Sequence, residues 1–137
     1  MALHPAVLAD LLDVEVRHAR DRLGTRATDL HREGHYLVMT LTRPDGVWRL
    51  RLDGERYDAE PFEVALVSEG GTILPIEQWI PGFALDVHPV LGVPWPCVSG
   101  TRGYYAHESH FTERWDADRY RHRADSLLDK LLSKAGL

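Results

Sequence analysis

One stretch of the chain, from His88 to Trp115, concentrates the side chains that could do chemistry. It holds the only cysteine, Cys97, together with three of the eight histidines and three of the eight prolines. Because proline fixes φ and lacks a backbone donor, this stretch cannot be an interior helix or a central strand. We therefore expect an irregular loop that positions a thiol.

Three uses are open to Cys97. As a nucleophile it needs a nearby cation or imidazole to favour the thiolate, and His107 and His110 follow ten and thirteen residues downstream. As a metal ligand it would supply, with those two histidines, three of four zinc positions, although the spacing is not an established zinc pattern. As a structural thiol it would be a small buried hydrophobe. The neighbouring Pro96 and Ser99–Gly100 favour an exposed turn, and the nucleophile is our leading interpretation.

A helix is predicted at each end of the chain. Residues 6–23 carry apolar side chains near helical spacing, and Pro5 favours the first turn of a helix. From Asp116 the pattern is helical again, with an apolar stripe that includes Tyr120 and continues to Leu132.

Strands are predicted between the two helices. Residues 35–43 and 47–54 flank a Pro-Asp-Gly turn and form a hairpin, and 62–70 form a third strand. Residues 72–87 are apolar but interrupted by prolines, which is consistent with a short edge strand. We predict an α+β domain: an N-terminal helix, an antiparallel three- to four-stranded meander, the irregular Cys97 loop and a C-terminal helix.

Composition limits the function classes. The 137 residues are ordinary in apolar content, at 44%, and predict a single domain over 1–137. A net charge of −5 argues against nucleic acid as a partner, and no apolar run is long enough to cross a membrane. One cysteine excludes an intramolecular disulfide. We expect a cytoplasmic protein with no nucleic-acid or membrane partner.

Several short motifs, taken in order, resemble the ubiquitin-conjugating enzyme fold in its divergent bacterial branch. Tyr57–Pro61 leads into Phe62–Val64 as the family's tyrosine-proline turn leads into its third strand. His88–Pro89 falls nine residues before Cys97, close to the family's interval between its histidine-proline motif and its acceptor cysteine. Trp115 follows the cysteine before a helix, as in the family.

The resemblance implies a thioester carrier. Cys97 would accept the C-terminus of a ubiquitin-like protein from an activating enzyme and pass it to an amine, and helix 6–23 would dock that activating enzyme. Val90 stands where the family has the asparagine assigned to oxyanion stabilisation. We expect His107 and His110 to supply the missing oxyanion donor and the base, on a segment that folds back over Cys97.

Two other functions stay open. The chain could be a non-catalytic adaptor or binding domain of the same fold, since fold alone does not define activity. It could also be a small zinc-binding protein that uses Cys97, His107 and His110.

Overall fold

The computed structural model of the chain describes residues 3–137, and its first element is the long helix α1 (Pro5–Leu23). Pro5 occupies the first helical position, and the Ala6 N–H donates to His4 Nδ1 at 3.2 Å, which caps the helix. Gly24 ends α1 with φ at +58°, a conformation that glycine adopts without strain. The helix predicted for 6–23 is confirmed.

Four antiparallel strands follow in sequence order as a meander. They are β1 (His31–Glu33), β2 (Tyr36–Arg43), β3 (Gly46–Asp53) and β4 (Glu63–Val67). The last three correspond to the predicted strands. With the helices at both ends, the meander confirms the α+β class.

One face of the sheet carries the core. The register sets Met39 opposite Leu50 and Leu50 opposite Leu66, so the three side chains lie on the same face. These residues are at most 1% exposed and form one core with the buried side chains of α1 and of the last helix. The opposite face carries Arg49 and Arg51, and Arg51 stacks over the Tyr36 ring at 4.5 Å.

The chain after β4 covers both ends of that strand. At one end the Leu74 N–H donates to the Leu66 carbonyl at 3.0 Å. At the other end Phe62 forms a parallel bridge with Thr101, and the Arg102 N–H donates to the Phe62 carbonyl at 2.8 Å. The edge strand predicted within 72–87 is reduced to a single bridge to β4, at Ile73, because the prolines turn the chain away.

The C-terminal region is a series of short helices. They are α2 (Arg102–Ala106), α3 (Trp115–Asp118) and α4 (Ala124–Lys134), with single 3₁₀ turns at Glu108–His110 and Arg119–Arg121. The continuous helix predicted from Asp116 is wrong, because the chain leaves helical geometry at His122 and Arg123. Tyr120, predicted on the apolar stripe, is 74% exposed.

Arg123 explains the break, because its side chain turns inward to a buried polar network. It pairs with Glu15 of α1 at 2.7 Å and with Asp58 at 3.0 Å. The Tyr57 hydroxyl donates to Glu15 at 2.5 Å, and the Trp115 indole N–H donates to the Asp58 carbonyl at 2.8 Å. Burial and the charge on Glu15 raise the pKa of Tyr57 far above its usual value. The network joins the turn after β3 to α1, α3 and α4.

None of the helices within residues 3–137 combines the length and the apolar character that crossing a bilayer requires.

Candidate functional site

A tight turn introduces the Cys97 loop. The His88 N–H donates to the Val93 carbonyl at 2.8 Å, and the Gly92 N–H donates to the His88 carbonyl at 2.9 Å. Gly92 has φ at +72°, which is strained for residues other than glycine. The turn presents Val90 to solvent at 66% exposure.

His88 holds this turn against α2. Its ring is 1% exposed, and Nδ1 accepts the N–H groups of Val90 and Leu91, both at 3.0 Å. With Nδ1 accepting, the ring proton belongs on Nε2, which donates to the Gly103 carbonyl at 2.8 Å. All hydrogen-bonding capacity of the imidazole is used, so His88 is a structural residue.

The Trp95 indole packs against both His88 and His107. Its ring meets the edge of His88 at 4.7 Å, and a Cβ added at Gly103 would lie 2.8 Å from its Cε3. His107 stacks on the same indole, with centroids 5.4 Å apart and planes at 24°. Glycine at position 103 is therefore what lets α2 lie against the indole and brings His107 next to it.

Cys97 lies beyond Trp95 on the exposed part of the loop, as predicted from its neighbours. Two hydrogen bonds order the loop. The Val98 N–H donates to the Pro96 carbonyl at 2.9 Å, and the Thr101 hydroxyl donates to the Val98 carbonyl at 2.7 Å. Thr101 also accepts the Tyr104 N–H at 3.2 Å and caps α2. The thiol thus projects from an ordered turn joined directly to the helix that carries the aromatic residues.

His107 follows α2 and is oriented by Ser109. The Ser109 hydroxyl and N–H approach His107 Nδ1 at 2.7 and 3.2 Å. Since a backbone N–H can only donate, Nδ1 accepts and the ring proton lies on Nε2. Nε2 of His107 is therefore a hydrogen-bond donor, and it forms no hydrogen bond to any residue from 3 to 137.

His110 has the opposite arrangement. Its Nδ1 donates to Glu113 at 2.6 Å, and its ring stacks on Tyr104 with centroids 3.8 Å apart. The Tyr104 hydroxyl donates to both oxygens of Glu113, at 2.7 and 2.8 Å. With Nδ1 protonated, a neutral His110 has an accepting Nε2, which is the arrangement of a base oriented by a carboxylate.

Hydrogen bonding within this trio shifts two pKa values. The Tyr104 hydroxyl and His110 hold the pKa of Glu113 below its usual range. The bond to Glu113 is also the largest of several effects that raise the pKa of Tyr104 to about 12. Negative charge on Cys97 would add to that rise.

The structure places both predicted histidines on the segment that follows α2. Their centroids are 6.2 Å apart, on the segment that adjoins Trp95 and Tyr104. Among residues 3–137 no hydrogen bond reaches the Cys97 sulfur. Nor do the ligand atoms of Cys97, His107 and His110 all lie within 4.8 Å of one another, so a zinc ion held by these three would require the segment to move.

Lys130 on α4 is a residue of this region that the sequence did not indicate. Its ammonium donates to Ser99 Oγ at 3.0 Å, to the Ser99 carbonyl at 3.2 Å and to His122 Nδ1 at 2.9 Å. Burial, and the charge of Arg121, lower the pKa of Lys130. Burial and the ammonium lower the pKa of His122 in turn. Lys130 thereby anchors the loop two residues beyond Cys97.

The sequence gives little indication that Lys130 contacts the Cys97 loop. Lys130 is one of only two lysines, yet 31 residues separate it from Ser99, and no local pattern links them. Tyr104 and Glu113 lie within 88–115, and nothing in their local sequence indicates that they bond to each other.

The fold and site define an α+β domain with one exposed thiol on an ordered loop that leads through α2 to two imidazoles. No protein-family model matches the chain, and no curated protein matches its sequence.

Proposed function

We propose that this protein is a thioester carrier, related in fold to ubiquitin-conjugating enzymes, that accepts a ubiquitin-like protein on Cys97 and transfers it to an amine. The observation that carries the proposal is the placement of the only thiol, which is exposed on an ordered loop that leads through α2 to two imidazoles with opposite hydrogen-bonding states. The helix, four-strand meander and cysteine loop also follow in the order that the family resemblance implies.

The loading step is a thiol exchange. The Cys97 thiolate attacks the carbonyl carbon of a thioester on the activating enzyme, a new C–S bond forms, and the donor thiolate leaves. An exposed sulfur suits this step because both partners are proteins. The site needs no cofactor.

The hydrogen-bonding states of His107 and His110 support different roles for them in the second step, the transfer to an amine. The acceptor amine attacks the Cys97 thioester, and His110 Nε2 removes its proton while Glu113 holds the ring by Nδ1. His107 Nε2–H donates to the oxyanion that develops on the carbonyl, in place of the family's asparagine. Collapse of the intermediate breaks the C–S bond, and the Cys97 thiolate leaves.

A peptide that carries a C-terminal thioester tests the chemistry without the natural partners. We expect an adduct on the wild-type chain that reductant removes and that Cys97→Ser does not form, as intact mass shows. Discharge of this adduct to free lysine should slow by about ten- to a thousand-fold in His110→Ala and in His107→Ala. His31→Ala, which removes an exposed imidazole elsewhere, is the matched control. Discharge at the wild-type rate in both variants would refute the catalytic roles.

The partner surface proposed for the activating enzyme is the outer face of α1. The helix buries Leu12 and Ala19 completely against the core, which leaves Arg17, His18 and Asp21 exposed. A charge reversal such as Arg17→Glu should weaken loading by an activating enzyme. It should leave exchange with the peptide thioester unchanged.

One observation favours a second candidate, the non-catalytic adaptor. Within residues 3–137 neither imidazole forms a hydrogen bond to the sulfur, which is what a binding domain without chemistry would show. In that case a partner would bind Cys97→Ser as tightly as the wild type, and the histidine variants would not affect discharge.

A further inference from the structure

A second group of potential ligands lies where the β1–β2 turn meets the end of β3. The side chains of His35, Asp53 and Glu55 bring one ligand atom each to within 4.8 Å of one another. They come from two segments, since His35 lies in the turn between β1 and β2 whereas the two carboxylates lie at the end of β3 and just beyond it. His35 Nε2 and Asp53 Oδ1 are 3.6 Å apart. We propose that these three residues bind a divalent transition-metal ion, with zinc as the best fit.

Main-chain contacts hold the two segments together. The Gly54 N–H donates to the His35 carbonyl at 2.9 Å, and Tyr36 pairs with Asp53 in the β2–β3 register. Gly54 has no room for a side chain, because a Cβ would lie 2.8 Å from Phe62. The ligand-bearing segments are therefore fixed by the sheet and the core, not only by their own side chains.

In the described part of the chain His35 is the only basic side chain paired with Asp53 or Glu55, although Arg56 and Arg102 line the cleft beside them. The arginines around it are engaged elsewhere: Arg32 with Asp13 at 2.7 Å, Arg56 with Glu60 at 3.5 Å and Arg102 with Glu63 at 3.2 Å. Within residues 3–137 neither Asp53 nor Glu55 forms an ion pair with arginine or lysine. Two carboxylates thus face one imidazole, and a divalent cation would balance them.

The nitrogen and oxygen donor atoms of these three residues favour zinc. One imidazole and two carboxylates match the nitrogen and oxygen donors of zinc sites, in which three protein ligands leave a fourth position open. A cleft of about 30 Å³, which has room for about one water-sized group, borders Asp53 and Glu55. Calcium and magnesium prefer oxygen ligands alone, so the imidazole argues against them.

The ion would connect the β1–β2 turn to the end of β3, independently of any chemistry at Cys97. Titration of the untagged, chelator-treated full chain with zinc chloride in a calorimeter tests this. We expect one ion per chain and an increase in Tm on addition of zinc. His35→Ala should weaken binding by at least the roughly ten- to hundred-fold that loss of an outer partner costs a metal site. Absorption of bound Co²⁺ should change in the same variant.

Matched variants test which residues bind the zinc ion. His31→Ala removes an exposed imidazole paired with Glu33 and should bind zinc like the wild type, as should Cys97→Ser. Glu55→Gln alters an exposed side chain and provides the test should His35→Ala fold poorly. The proposal is overturned if the wild type shows no saturable binding, if both His35→Ala and Glu55→Gln bind zinc as tightly as the wild type, or if only Cys97→Ser loses binding.

Discussion

Replacing His88 with alanine should destabilise the fold through the loop rather than through the core. The imidazole forms three hydrogen bonds, to the N–H groups of Val90 and Leu91 and to the Gly103 carbonyl. Each neutral hydrogen bond contributes about 1 kcal/mol net, which gives about 3 kcal/mol for the set. Both freed N–H groups lie in a partly buried environment, and we expect a loss of about 2 to 3 kcal/mol.

That loss is large for a domain of this size. Small domains unfold at a cost of about 5–15 kcal/mol, so His88→Ala would remove a substantial part of the stability. The measurement is urea denaturation followed by tryptophan fluorescence, with the midpoint decreasing and the slope unchanged. Emission from Trp95 should also change in the native state, because the indole loses its edge contact at 4.7 Å.

His107→Ala is the matched control, since it removes an imidazole from the same indole without removing a link between segments. We expect a loss of less than about 1 kcal/mol, in the range of ordinary partly exposed substitutions. If His88→Ala costs less than about 1 kcal/mol, or no more than His107→Ala, the turn does not depend on the imidazole and the structural role assigned to His88 is wrong.

Three further changes test other parts of the structure. Because His122 has a pKa below its usual 6.5, the unfolded chain binds its proton first as pH falls. Stability should therefore decrease below about pH 6.5, and urea unfolding at several pH values should show a shallower decrease in His122→Gln. Gly100→Ala puts a Cβ at φ +96°, 2.9 Å from the His122 Cβ, and should cost about 1–3 kcal/mol in the same assay. Tyr57→Phe removes the buried hydrogen bond to Glu15 and should lower the free energy of unfolding by about 1.5–3 kcal/mol. A normal Tm in that variant would contradict a stabilising network.

The parts of the fold predicted from sequence are those with a local pattern. Alternation of Arg49 and Arg51 with Leu50 and Leu52 marks a strand whose two faces differ, and β3 has that form. The strand β1 has only three residues and no alternation, so only its pairing with β2 defines it. The sequence predicts that the C-terminal helix begins at Asp116, before the observed start of α4. The apolar spacing gives no sign that Arg123 turns inward to Glu15.

In the candidate site, too, only the features set by local sequence could be predicted. Exposure of Cys97 followed from proline on one side and Ser-Gly on the other, which are local features. The opposite tautomers of His107 and His110 depend on Ser109 and Glu113, whose hydrogen bonds form only once the turn after α2 has a definite geometry. The contact of Lys130 with Ser99 depends on how α4 packs and could not be read from spacing.

The coverage of β4 has a consequence for the behaviour of the protein at high concentration. A meander has two outer strands, and exposed edges of this kind are where sheets of different molecules join and aggregate. Here one outer strand, β1, is only three residues long. The other is paired by Leu74 at one end and by Arg102 at the other. Neither edge offers a long row of unpaired backbone groups, so the sheet is protected against edge-to-edge polymerisation, and variants that detach Leu74 or Arg102 would be the first to lose that protection.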